Sequence, residues 1–181
     1  MHGETMCTTA SVIMCLAALC KVVTRLGLKR AMDNSMAVAS VLHGRLVSEL
    51  GHRFMSVYDI LNSPTMRGVR HRIDCEEVIV FPESLPHFGD AVLTTGDVLS
   101  KVDEDRCAVM TSNGHSMCIF KTSNLYHLFD SMKAECQITS NAVTAELALD
   151  QFGRGQKDVS FLKLRDEKTN DELNAHAIER V

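Results

Sequence analysis

No C-x-x-C pair occurs in the chain, although it contains seven cysteines in 181 residues. Its absence removes the usual framework of a structural zinc site, and the isolated spacing of His71 and Cys75 does not replace it. The odd cysteine count argues against a disulfide scaffold, as do a length sufficient for a real core and the lack of a secretory leader pattern. The apolar run Thr9–Cys20 is too short to span a bilayer, is followed by Lys21, and has neither a basic flank before it nor a cleavage site after it. Basic residues are scattered and form no stripe, and the formal net charge is -4, so neither nucleic acid nor a membrane is an expected partner. There are no repeats and no low-complexity linker. These exclusions point to an intracellular protein with reduced thiols and no metal or cofactor.

What is present is globular. Hydrophobic residues make up 45% and charged residues 23%, which fits one domain with a core. Residues 8–26 predict a mostly apolar, buried helix, with Thr8 or Thr9 as its cap and Gly27 as its stop. A second, amphipathic helix is expected from Asp33 or Asn34 to Leu50, ended by Gly51. "YDILNSP" reads as a short helical turn closed by Pro64, and "GVRHRIDCEEVIVFP" as extended chain, strongest at Val78–Phe81. Pro82 and Pro86 bracket a loop, and "GDAVLTTGDVLSKV" contains a helix.

Strands are expected at Cys107–Thr111, His115–Phe120 and Leu125–Asp130 and, after a polar connection, at Val143–Leu149. "DVSFLKL" fits either a short helix or a strand. The charged end reads as a tail, giving one domain over 1–165 and a tail over 166–181. Helices come first and a mainly antiparallel sheet second, so the fold class is α+β.

Within that sheet, "HSMCIF-KTSN-LYHLFD" predicts a hairpin with a four-residue loop. Phe120 would then face Leu125, and His115 would stand directly opposite Asp130, with Cβ atoms about 4.5–5.5 Å apart. An imidazole and a carboxylate held this way can hydrogen-bond, the carboxylate fixing the tautomer and stabilising the imidazolium. His127, by alternation, lies on the other face and reads as structural or solvent-facing. Polar residues at strand ends are ordinary, so the pair acquires meaning only with a nucleophile.

Cys7 stands just before the long apolar helix, where the positive end of the helix dipole and nearby backbone N–H groups favour a thiolate and an oxyanion. Taken alone, a cysteine there is a common packing residue. Cys15 and Cys20 lie deeper in the helix and read as small core hydrophobes, while Cys107 and Cys118 pack in the sheet. A cysteine opening a buried helix, followed by a sheet carrying His and, one strand later, Asp, is the order of a papain-like hydrolase.

Several segments resemble the deubiquitinase domain at the N-terminus of herpesvirus large tegument proteins and the related tegument-like deubiquitinases outside those viruses. They are "MCTTASVIMCLAAL", "MDNSMAVASVLHGRLVSEL", "DILNSP", "CAVMTSNGHSMCIF…YHLFDSM" and "SNAVTAELALDQF", together reaching from Met6 to about Leu164. The "LFDS" element is the specific part. The resemblance implies a papain-like cysteine protease fold, with Cys7 as nucleophile and Asp130 as the acidic partner.

Two departures from the family pattern stand out. Met132 occupies the place of the catalytic histidine, two residues after the aspartate, so either the chain is inactive or His115 supplies the imidazole from the neighbouring strand. No Gln or Asn precedes Cys7 to act as an oxyanion donor.

The implied activity is hydrolysis of isopeptide and peptide bonds after the C-terminal glycine of ubiquitin, with ubiquitin or polyubiquitin as partner and a monomeric enzyme. Acidic residues would favour the arginines of the ubiquitin tail, Asp103, Glu104 and Asp105 being candidates beside their simpler reading as a solvated turn. The alternatives are a catalytically inactive ubiquitin-binding module of the same fold and a papain-like peptidase or acyltransferase for another ubiquitin-like protein or for small molecules.

Overall fold

The computed structural model describes residues 3–81, 93–153 and 155–165, with side chains described from Met6 onward. The expected loop between Pro82 and Pro86 and the tail over 166–181 lie outside the described residues. The first helix, α1 (Gly3–Leu19), starts earlier than expected, so Cys7 lies inside it rather than ahead of it. It is apolar around most of its circumference and correspondingly buried, with Val12, Met14 and Cys15 fully enclosed.

The expected single helix over 8–26 is broken. Lys21 adopts a left-handed conformation (φ 60°), and its ammonium is held by the Glu104 carbonyl at 2.7 Å and the Asp105 carboxylate at 3.1 Å. A short α2 (Val22–Leu26) follows, and Gly27, at φ 83°, turns the chain into α3 (Leu28–Leu50). That helix begins several residues before Asp33. Its buried stripe Ala31, Ser35, Ala39, Leu42, Leu46 keeps the three-to-four-residue spacing of a helix face, and Gly51 (φ 74°) closes it. The short α4 (Val57–Leu61) is capped by Ser56 and Asp59 in a reciprocal capping box. A single 3-10 turn at Pro64–Met66 and α5 (Arg67–Arg70) complete the helical layer.

Among the described residues, six strands form one antiparallel sheet: β1 (Ile73–Val80), β2 (Arg106–Ser112), β3 (His115–Thr122), β4 (Leu125–Asp130), β5 (Glu135–Thr139) and β6 (Lys157–Leu164), in the order β1-β6-β2-β3-β4-β5. "DVSFLKL" is therefore strand. On the opposite face from α1 pack α6 (Thr95–Lys101), capped by Thr94, and α7 (Ala142–Gln151).

Two expectations change here. Val143–Leu149 is helix, not strand: Asn141 caps it by accepting from the Val143 and Thr144 N–H groups, and Ala145, Leu149 and Phe152 recur on one buried face. The polar connection before it contains β5, an edge strand whose residues are exposed or half-buried. The core is accordingly double. One cluster joins α1 and α3 to Cys107, Val109, Cys118, Phe120 and Phe129, and the other joins α6 and α7 to Met110, Ile119, Leu128 and Phe161. Among the described residues, no helix is long and apolar enough to cross a membrane.

Candidate active site

Turn chemistry places the histidine. Asn113 (φ 50°) and Gly114 (φ 77°) form a two-residue connection between β2 and β3, so Ser112 pairs with His115 and the imidazole opens β3 at the end of the sheet. The next connection differs from the expected four-residue loop. Ser123 (φ 49°) and Asn124 (φ 63°) make a second two-residue turn, with Thr122 opposite Leu125 and Cys118 opposite Phe129. Every partner therefore moves by two residues, and His115 and Asp130 are diagonal neighbours rather than directly opposed. A slip of two preserves the face, where a slip of one would not. The diagonal is within reach of these side chains, and His115 Nε2 lies 3.0 Å from Asp130 Oδ1.

Asp130 is nearly buried and is held in turn by the Met132 N–H, which donates to Oδ1 at 3.0 Å. Lys133 lies 3.7 Å from Oδ2, from an exposed position where the pair contributes little. At Met132, where the resembled family has its histidine, the backbone amide is used and the side chain is exposed. The ring of Phe152 packs against the imidazole at 5.2 Å between centroids. Gly153, just beyond, is held close to the hairpin: its φ is 72°, and a Cβ there would meet Ser112 Oγ.

Cys7 approaches from the helical layer. Its thiol is 1% exposed and donates to the Gly114 carbonyl at 3.6 Å. With Nε2 on Asp130, the buried Nδ1 of His115 has no oxygen or nitrogen partner among the described residues and is the ring nitrogen left for the sulfur. Burial pushes the Cys7 thiol up, but a hydrogen bond from His115, the Ser116 N–H, the imidazolium charge and the Thr8 hydroxyl together outweigh it, and its pKa lies below the ordinary 9.0. The His115 pKa is raised, first by the bond to Cys7, against the effect of burial and with help from Asp130. Both shifts favour thiolate and imidazolium. The thiols of Cys15, Cys75, Cys107, Cys118 and Cys136 all shift the other way, with burial or a neighbouring thiol as the main cause.

The structure thus brings Cys7, His115 and Asp130 together. Cys15, Cys107 and Cys118 are core residues, the Cys15 and Cys118 sulfurs lying 3.0 Å apart. His127 is structural but not solvent-facing: it is buried, stacked on Phe120 at 4.6 Å, and its pKa is lowered by burial. His43 half-packs on α3 against the Thr9 hydroxyl. Among the described residues, no group of side chains could hold a metal ion.

Asp103–Asp105 lie at the far end of β2 from Ser112, bound up with Lys21 and the Ser123 N–H, so they do not line the site. The acids near the site come from elsewhere. A cavity of about 210 Å³ opens on Cys7 between Phe54, Met55, Thr111 and Gly114. A second, of about 410 Å³, shares Ser56 and Thr111 with it and leads on past Tyr58 to Glu77 and Asp158. Strand pairing makes this wall: Ile79 faces Asp158 and Glu77 faces Ser160 across β1 and β6. The sequence offered no local signal for it.

A buried helix bearing a cysteine, docked on an antiparallel sheet that carries His and Asp, is an α+β fold of the papain-like cysteine-protease kind. Its architecture is similar to the crystal structure of the ubiquitin-specific protease encoded by murine cytomegalovirus tegument protein M48, solved with a ubiquitin-based suicide substrate. The TM-score is 0.60, with 13% sequence identity, over 88% of this chain and 80% of that one. At that identity the likeness is one of fold. No family model and no curated protein sequence matches the chain.

Proposed function

We propose that the chain is a cysteine-dependent deubiquitinase that cleaves after the C-terminal glycine of ubiquitin. The observation that carries this reading is the connected set Cys7–His115–Asp130 on a papain-like fold, with the thiol pKa lowered and the imidazole pKa raised. Cys7 attacks the carbonyl as thiolate, and the C=O electron pair moves onto oxygen. The His115 imidazolium then protonates the departing amine as that pair returns. In the second half-reaction His115, now neutral, takes a proton from water, whose oxygen displaces the thiolate. Asp130 orients the ring and favours its charged form.

The groove supports this substrate class. Around Cys7 it is small and flanked by Phe54 and Met55, which suits a tail ending in residues without side chains. Farther along, Glu77 and Asp158 are exposed carboxylates placed to meet basic residues of an extended tail.

The test is labelling by ubiquitin bearing a C-terminal alkyne, read by intact mass. Wild type should form one adduct, lost in Cys7→Ala and slowed in His115→Ala and Asp130→Asn. Glu77→Lys with Asp158→Lys should raise KM for a fluorogenic ubiquitin amide while leaving kcat near wild type. A folded wild type that binds ubiquitin and forms no adduct would instead be a binding module. Labelling by a different ubiquitin-like probe alone would reassign the substrate.

A further inference from the structure

Attack by Cys7 places a negative charge on the substrate oxygen, and that charge needs a donor. The usual backbone candidate is occupied by geometry. Cys7 is the fifth residue of α1, one beyond the four whose N–H groups lack an intrahelical partner. Among the described residues, no Asn or Gln side chain lines the Cys7 cavity. Its hydroxyls are Thr8, Ser56 and Thr111. The Ser56 proton is engaged, donated to the Asp59 carboxylate at 2.9 Å.

The two threonines are linked through a serine. Thr8 Oγ1 lies 2.8 Å from Ser116 Oγ, and Ser116 Oγ lies 2.8 Å from Thr111 Oγ1. Ser116 is completely buried, while its two partners both face the cavity. Three hydroxyls carry three protons, and two hydrogen bonds use two of them. The completely buried Ser116 gives its proton to one threonine and accepts from the other, so the third proton sits on the threonine at the accepting end. Both ends open on Cys7, so either direction presents an O–H to the cavity; at Thr8 that O–H favours the thiolate and can turn to the oxygen as the sulfur loses its charge. Three hydroxyls in series also polarise one another, which strengthens the terminal donor.

We infer that the Thr8–Ser116–Thr111 hydroxyl chain is the side-chain part of the oxyanion hole, with Thr8 and Thr111 as alternative donors and Ser116 as the positioning residue that joins them. No proton is transferred; the terminal O–H only hydrogen-bonds the oxygen that gains the carbonyl electron pair. This inference rests on the deubiquitinase reading, and the experiment separates the two.

Two reactions of the same thiol are compared, using ubiquitin C-terminal alkyne and a fluorogenic ubiquitin C-terminal amide. Alkyne addition needs the thiolate and ubiquitin binding but forms no oxyanion, whereas amide cleavage needs all three. In Thr8→Val/Thr111→Val, kcat should fall about a hundredfold or more, with KM close to wild type and the alkyne rate falling far less, by the share of thiolate stabilisation that the Thr8 hydroxyl supplies. Retained labelling also shows that the variant folds. Thr111→Ser, which keeps a hydroxyl, should stay near wild type, and Ser116→Ala should lower kcat less than the double valine variant.

If wild type labels and turns over while the double variant retains kcat, the hydroxyl chain is not the donor and the deubiquitinase reading stands. Equal loss of labelling and turnover would also overturn the inference, because the hydroxyls would then be acting only through the thiol or the fold. A wild type that fails to label would overturn both.

Discussion

Cys7 is pulled two ways. Burial favours the neutral thiol, and His115, the Ser116 N–H and the Thr8 hydroxyl favour the thiolate, with a net shift below 9.0. Since the thiolate is the reactive species, a lowered pKa raises reactivity at neutral pH. Removing the imidazole takes away the largest opposing effect and leaves burial in place. The pH midpoint for Cys7 alkylation by iodoacetamide should therefore lie higher in His115→Ala than in wild type, with a slower rate at pH 7. The readout is the rate of mass addition at Cys7 as a function of pH. An unchanged midpoint would show that His115 does not set the charge state of the sulfur. Asp130 acts one bond farther away, through Nε2, and the Met132 amide keeps its carboxylate aimed at the ring.

At the scale of elements, the turns determine whether that triad can close. Ser123 and Asn124 both adopt positive φ, which costs a β-branched residue about 1–2 kcal/mol. Asn124→Val should lower the unfolding free energy by that amount, read as a lower urea midpoint with an unchanged m-value. Stability unchanged within error would mean that the turn does not need its left-handed geometry.

The same turn explains what could be read from the sequence. The strands around it were legible because their buried residues form near-continuous apolar runs, and the face shared by His115 and Asp130 was legible because a two-residue slip keeps side-chain parity. The register was not, because Ser-Asn carries a weaker hairpin signal than the Asn-Gly at 113–114. In α7 the run Val143–Leu149 alternates like a strand, and the Asn141 cap and the Ala145–Leu149–Phe152 spacing overrule it. In β5 the reverse holds: a short edge strand with half-exposed Cys136 and exposed Ile138 resembles a loop. Glu77 and Asp158 are far apart in the chain and meet only because β6 inserts between β1 and β2. No local pattern encodes that topology.

The site as a whole belongs to neither half of the molecule. Cys7 arrives with the helical layer, whose core includes Leu46, Val12 and Phe129, whereas Met117, Ile119 and Leu128, on the face of His115 and Asp130, pack under α6 and α7. Cys7 and His115 meet only while α1 is docked on the sheet, so reactivity at Cys7 reports that docking. Leu46 is fully buried in α3. Leu46→Ala removes apolar contacts from the helical layer without touching the site and should cost about 2–5 kcal/mol, a large share of the roughly 5–15 kcal/mol typical of a domain. Its urea midpoint should fall with an unchanged m-value, while the pH midpoint for Cys7 alkylation in the absence of urea should match wild type. During unfolding, the loss of the lowered Cys7 pKa should coincide with the loss of helical circular dichroism, because one cooperative unit holds both layers. If the pKa returns to its ordinary value at lower urea than the helix signal, α1 leaves the sheet before the rest unfolds. The site would then be governed by that interface and not by global stability.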